Sequence, residues 1–192
     1  MAQDRITPDD VRRKVLDTAR GLYARQGYVS TSIKGVAAAA GVAPDLVRRY
    51  YNNREDLFAA ALRLPFEPAS AVARLLAPGI DGLGERLVRV TFEMLDDPEV
   101  RDQIGIMVGD AKSAAKVVTT MREFLEESII DRIAAALRVP DARMRVNLAS
   151  SYLMGVAGAR YILRLEPMAS ASTDELVRMV APAVQTALTA AW

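Results

Sequence analysis

The sequence predicts an all-α protein. Apolar residues recur at helical spacing in nearly every segment, and no stretch sustains the period-two alternation of a half-buried strand. Helix start and stop residues also punctuate the chain at close intervals.

Thr7-Pro8-Asp9-Asp10 reads as a helix start, with Thr as N-cap, Pro at the first helical position and acids against the positive end of the dipole. Val11, Val15, Ala19, Leu22 and Tyr23 form one apolar stripe, and Gly27 ends the helix. Thr31 or Ser32 caps a short helix that runs to Ala40 and stops at Gly41. Pro44 opens a third helix reaching about Tyr51, and Asn53 caps a fourth with Arg54, Glu55 and Asp56 in its first turn. Beyond Leu64 the composition changes. Pro65, Pro68, Pro78, Gly79, Gly82 and Gly84 break residues 65–84 into short pieces, which places a domain boundary between 1–64 and 65–192. Longer helices are expected over 83–95, 98–112, 115–137, 141–165 and 173–190, and Pro182 is expected to kink the last of them near Arg178.

Composition narrows the chemistry. The 192 residues include no Cys and no His. Disulfides, thiolate nucleophiles, iron–sulfur clusters, histidine general bases and most transition-metal sites are thereby excluded. No catalytic residue, metal site or cofactor is assigned. The acid pairs Asp96-Asp97 and Glu126-Glu127 are adjacent in sequence, so neither converges on one helix face, and they read as caps and solvated charges. A hydrophobic fraction of 51% is enough to build a core. The first twenty residues carry Asp4, Asp9 and Asp10 and no apolar run, and the uncharged stretch Met179–Trp192 is shorter than the ~20 residues that span a bilayer. The expectation is a cytoplasmic protein without a membrane partner.

Charge is uneven along the chain. Residues 1–64 hold 11 Lys+Arg against 7 Asp+Glu, whereas the remainder holds 14 against 17. A basic head on a mildly acidic body suits a polyanion. Within that head, residues 32–51 (SIKGVAAAAGVAPDLVRRYY) make two short helices joined at Gly41. Ala37 is small where two crossing backbones approach, Gly41 supplies a left-handed turn, and Val42 and Val47 pack beneath. Pro44, Asp45, Arg48 and Arg49 then point away from the core, and paired arginines on an exposed short helix suit the major groove. The same spacing also fits a plain αα-corner with two solvated arginines.

Residues 8–63 resemble the DNA-binding domain of TetR-family transcriptional regulators. The resemblance rests on Ala19-Arg20-Gly21-Leu22-Tyr23, Gln26-Gly27-Tyr28, Thr31-Ser32, Val36-Ala37, Ala40-Gly41-Val42, Tyr50-Tyr51 and Asn53-Arg54-Glu55-Asp56-Leu57-Phe58. It implies a three-helix helix-turn-helix domain followed by a larger helical ligand-binding and dimerisation domain. It further implies that Thr31 and Ser32 contact phosphate, that Pro44, Asp45, Leu46, Arg48 and Arg49 face the major groove, and that Tyr50 and Arg54 contact the DNA backbone. Three departures stand out. Ala43 replaces the usual capping Ser or Thr, Tyr51 replaces the commoner Phe and needs a hydroxyl partner, and Arg48-Arg49 replaces an aromatic and polar pair.

The family pairs its last two helices with those of a second subunit. Ser151, Gly155 and Ala159 form a small-residue stripe with Gly158 beside it, and Val180, Val184 and Leu188 lie on one face of the last helix, so these are the expected dimer contacts. The glycines have equally a possible packing role inside the subunit. Phe92, Met107, Met121, Phe124 and Tyr152 are the candidates for lining a pocket for a small, largely apolar effector, with ordinary core as the alternative for each. The function implied is a homodimeric regulator, of repressor type, that binds a palindromic operator in double-stranded DNA and is released by the effector. The alternatives are a helical protein-interaction module without DNA binding, and a small helical-bundle enzyme.

Overall fold

The computed structural model describes residues 7–64, 66–101 and 111–190. Its helices are α1 (Pro8–Gln26), α2 (Ile33–Ala40), α3 (Pro44–Tyr50), α4 (Arg54–Ala61), α5 (Pro68–Leu76), α6 (Leu83–Asp96), α7 (Ala111–Leu125), α8 (Asp131–Leu137), α9 (Ala142–Ala157) and α10 (Thr173–Thr189). No strand occurs among the described residues. They fall into two compact units, one drawn from Met1–Pro68 and Gln103–Leu125 and the other from Ala69–Asp102 and Glu126–Trp192.

In the first unit the sequence punctuation works as chemistry. The Thr7 hydroxyl accepts from Asp10 N at 3.2 Å while Thr7 N donates to Asp10 at 3.1 Å, a reciprocal cap that satisfies two free amides of α1. Ser32 caps α2 and Asn53 caps α4 through a single bond each, accepting from Gly35 N at 3.1 Å and from Asp56 N at 2.8 Å. Gly41 takes φ 67°, and its N–H and that of Val42 close back onto the last carbonyls of α2. The chain then turns straight into α3. Val15, Ala19, Tyr23, Val36, Ala37, Val47, Tyr51, Leu57 and Phe58 are buried together.

The first unit also takes in one element from far beyond Leu64 in sequence. Helix α7 belongs to the first unit, where Phe124 packs its ring against Phe58 at 4.5 Å and Tyr28 at 5.5 Å. A contact across so long a sequence separation leaves no trace in local composition.

The second unit is built on α6 against α10. Gly84 marks their closest approach: a Cβ there would lie 2.6 Å from Gln185 N and 2.8 Å from Ala181 O. Gln185 answers with its side chain, accepting from Gly84 N at 2.8 Å. Leu87, Val88, Phe92, Ile133, Val146, Val177, Val184 and Leu188 fill the core.

Three expectations are corrected here. Residues 65–84 are not all broken chain, because Pro68 sits in the first turn of α5, where its missing N–H costs nothing. The helix expected over 115–137 is interrupted by a π turn at Glu126–Ile130. The one expected over 141–165 is α-helical only to Ala157, then makes a π turn at Gly158–Ile162 in which Leu163 N donates to Gly158 O, five residues back. Pro182 lies inside α10, which continues to Thr189.

Asp97 caps locally, accepting from Glu99 N at 2.8 Å, but Asp96 is more than a solvated charge. It accepts from Thr173 Oγ1 at 2.7 Å, Tyr161 Oη at 2.8 Å and Arg160 Nη2 at 3.3 Å, joining the end of α6 to the π turn and to the start of α10. Partial burial works against the charge, yet hydrogen bonds from Thr173 and Tyr161 and the Arg160 cation outweigh it and hold the carboxyl below its ordinary value. Burial first, then the Asp96 carboxylate, pushes the Tyr161 phenol up to about 12.

Two outcomes follow. Gly84→Ala should destabilise the protein by about 1–3 kcal/mol in urea unfolding, since backbone and not a flexible side chain blocks the new methyl. A depressed carboxyl contributes stability above its unfolded value and loses it as pH falls through the folded one. The stability gap between wild type and Asp96→Asn should therefore be full at neutral pH and close below about pH 4.

Candidate nucleic-acid interface

Helix α3 has seven residues, and its sequence divides cleanly between inside and outside. Val47 is fully buried and Leu46 half-buried, while Pro44, Asp45, Arg48, Arg49 and Tyr50 are exposed. Ala43 makes no side-chain cap, as its chemistry requires. Asp45 accepts from Arg48 Nη1 at 3.3 Å, an exposed pair worth well under ~1 kcal/mol in stability. Its effect is to steady the Arg48 guanidinium across the helix face. Arg49 makes no hydrogen bond or ion pair among the described residues. Major-groove reading needs a cation that is available and aimed outward, and α3 presents two.

The flanking positions divide less simply. Ser32 is exposed at the start of α2. Thr31 is fully buried, its hydroxyl donating to Gly27 O at 2.7 Å and accepting from Gln26 Nε2 at 3.2 Å. The phosphate contact expected of the Thr31 side chain is therefore corrected: that hydroxyl ties α1 to α2. Arg54 also has inward work. Its guanidinium lies 4.4 Å over the Tyr28 ring and donates to Val29 O at 3.0 Å, bracing α4 against the turn before α2. Tyr51 is buried with its hydroxyl accepting from Arg12 Nε at 3.3 Å, the partner its departure from Phe requires.

Sequence reasoning missed Glu123. Its Oε2 accepts from both Tyr28 N and Val29 N at 3.0 Å, fixing the same turn from α7. Nothing near Glu123 in the sequence signals this.

The expected pocket residues scatter. Met121 and Phe124 pack into the first unit's core, and Phe92 is fully buried in the second. Tyr152 is exposed, and Met107 lies outside the described residues. Phe124 and Phe92 are enclosed by neighbouring side chains as core, and Met121 packs half-buried against it. The second unit carries an open groove of about 500 Å³ between α6 and α10, lined by Glu85, Arg89, Asp174, Arg178 and Gln185 among others, and by none of the five.

The expected dimer residues divide as well. Val184 and Leu188 are fully buried within the subunit and so are corrected to core, and Val180, Gly158 and Ala159 are half-buried. Ser151 and Gly155 are exposed. A Cβ built on Gly155 or Gly158 meets nothing within 4 Å among the described residues, so no close approach among them explains these glycines.

Comparison with known proteins adds to this geometry. Residues 15–61 match the family model described as Bacterial regulatory proteins, tetR family, and residues 81–188 match Tetracyclin repressor-like, C-terminal domain. The chain belongs to the TetR family. It is 23% identical over 145 residues to the HTH-type transcriptional repressor AcnR of Corynebacterium glutamicum, covering 73% of this chain and 72% of that one. A TetR-family regulator from Streptomyces coelicolor A3 shares 32% identity over 97% of this chain and 99% of its own, with a TM-score of 0.49. NalD of Pseudomonas aeruginosa is 16% identical over 96% of this chain and 98% of its own, with a TM-score of 0.53, and shares the fold.

As a TetR-family protein the chain is a DNA-binding transcriptional regulator. Regulators of this family are transcription factors rather than enzymes. No helix among the described residues is long and apolar enough to cross a membrane.

The placement of Phe124 is open to test. Phe124→Ala should cost about 3–5 kcal/mol, as for a ring removed from a packed core, and should lower the melting temperature of the unit that carries α3. A pocket-lining ring would instead alter ligand response with little change in melting.

Proposed function

We propose that this regulator is a homodimeric repressor that binds a palindromic operator and is released by a small, largely apolar effector. The observation that carries the DNA reading is the division of α3, with Val47 buried beneath and Arg48, Arg49 and Tyr50 exposed above. Ser32 at the start of α2, Pro44 and Leu46 complete the contact set, with Asp45 steadying Arg48. The repressor reading is supported by the names of relatives: AcnR is a transcriptional repressor, and NalD is the secondary repressor of a multidrug efflux pump.

A two-fold operator needs a two-fold protein, with recognition helices about 34 Å apart. On α9, Met144, Leu148, Ser151, Tyr152 and Gly155 are exposed at helical spacing, and on α10 so are Met179, Pro182, Ala183 and Thr186. Both exposed stripes are largely apolar or small, which suits a four-helix pairing with a second copy. This face replaces the one built on Val184 and Leu188. The effector is taken as apolar because the helices over 83–137 are supplied with methionine and aromatic residues, which suit apolar ligands. To empty an occupied operator it must prefer the released conformation by about 5 kcal/mol.

Selection of bound sequences from random DNA should enrich a two-fold symmetric site. On it, Arg49→Ala should weaken binding about tenfold or more and relax preference at one base position per half-site. Failure to enrich any sequence at low salt would sink the reading. Leu148→Glu should give a monomer by light scattering with wild-type circular dichroism, and should lower operator affinity about a hundredfold.

A further inference from the structure

Arg12 is a cation of the first unit whose position the recognition helix does not account for. Arg12 lies on the exposed side of α1, in its second turn. Its neighbours Arg13 and Arg20 are each paired, with Asp10 at 2.7 Å and Asp17 at 2.6 Å. Arg12 instead donates through Nε to the Tyr51 hydroxyl at 3.3 Å. Its two terminal nitrogens make no hydrogen bond or ion pair among the described residues.

That bond ties the guanidinium to the side chain of Tyr51, the residue that caps the C-terminal end of α3. Tyr51 is buried, but Tyr50 beside it, with ring centroids 6.3 Å apart, is 37% exposed. Tyr51 thus links the two: its hydroxyl takes the Arg12 bond, and its ring stands beside that of the exposed Tyr50. A guanidinium fork and a phenol together match a phosphate diester, which takes two parallel N–H bonds and one more donor. The Tyr51 bond matters because a free arginine loses rotamer entropy when it is ordered, and one already held loses less.

We propose that Arg12 is a phosphate-contacting residue of the DNA interface, positioned by the Tyr51 hydroxyl and sharing a backbone phosphate with Tyr50. The residue reads no base. It fixes the angle at which α3 enters the groove and contributes to affinity on any sequence. It also gives the Tyr at position 51 a task that Phe could not perform. This placement rests on the operator-binding reading.

The test uses the full chain and a selected operator, with binding followed by fluorescence anisotropy from about 50 to 200 mM salt. Arg12→Ala should weaken binding about tenfold and reduce the slope of log affinity against log salt by about one per subunit, with base preference unchanged. Arg12→Lys should keep the wild-type slope because it keeps the charge. Tyr51→Phe should also keep the slope while weakening binding about two- to fivefold, since the cation remains but is no longer held. Melting curves of each variant report folding separately. A wild-type slope in Arg12→Ala overturns the placement. So does an equal loss in Arg12→Ala and Arg12→Lys that follows a lowered melting temperature with the slope unmoved. If the wild-type protein enriches no sequence at all, the operator-binding reading fails instead.

Discussion

A seven-residue helix has no stability of its own in water, so the order of α3 comes entirely from what lies beneath and on either side of it. Val47 anchors its middle in the core, and Tyr51 anchors its end. Gly41 sets the turn that leads into it, at a φ that a side chain would strain. Without these three constraints the outward arginines would be two flexible charges, able to attract DNA but unable to read it. The cationic face is a consequence of apolar burial on the opposite side.

The support continues one layer further in. Tyr23, Tyr28, Phe58 and Phe124 form a contiguous aromatic cluster, with ring centroids between 4.5 and 6.3 Å apart. Arg54 lies against the outer face of Tyr28, and Glu123 accepts the two backbone amides of the turn just before α2. Helix α7 thus contributes both an apolar plug and a polar latch to the unit that carries the recognition helix. A shift of α7 along its axis would release two amide bonds and open the aromatic cluster together.

Residues of similar appearance have different tasks once packed. Thr31 and Ser32 are adjacent hydroxyl residues before the same helix, yet one is sealed inside and the other caps at the surface. Val184 and Leu188 share a helix with Met179 and Ala183, but a rotation of about 100° or more about the axis separates subunit core from outward face. Asp96 and Asp97 differ likewise: one receives three side-chain donors, the other a single backbone amide.

The all-α class, the helix starts at Thr7, Ser32 and Asn53, the turn at Gly41 and the outward set on α3 were all legible along the chain. Each depends on atoms within four residues of one another: a cap, a left-handed turn, a 3.6-residue stripe. The need of Tyr51 for a partner was legible too, since a buried phenol must find one. Which residue would meet it was not. The Arg12–Tyr51 bond, the seat of Phe124 among the rings, the Glu123 latch and the burial of Val184 and Leu188 join positions far apart in sequence or depend on a helix's rotation about its axis. Local periodicity carries neither quantity. They are settled only when the apolar faces choose their partners and the remaining polar groups bond to whatever that choice leaves within reach.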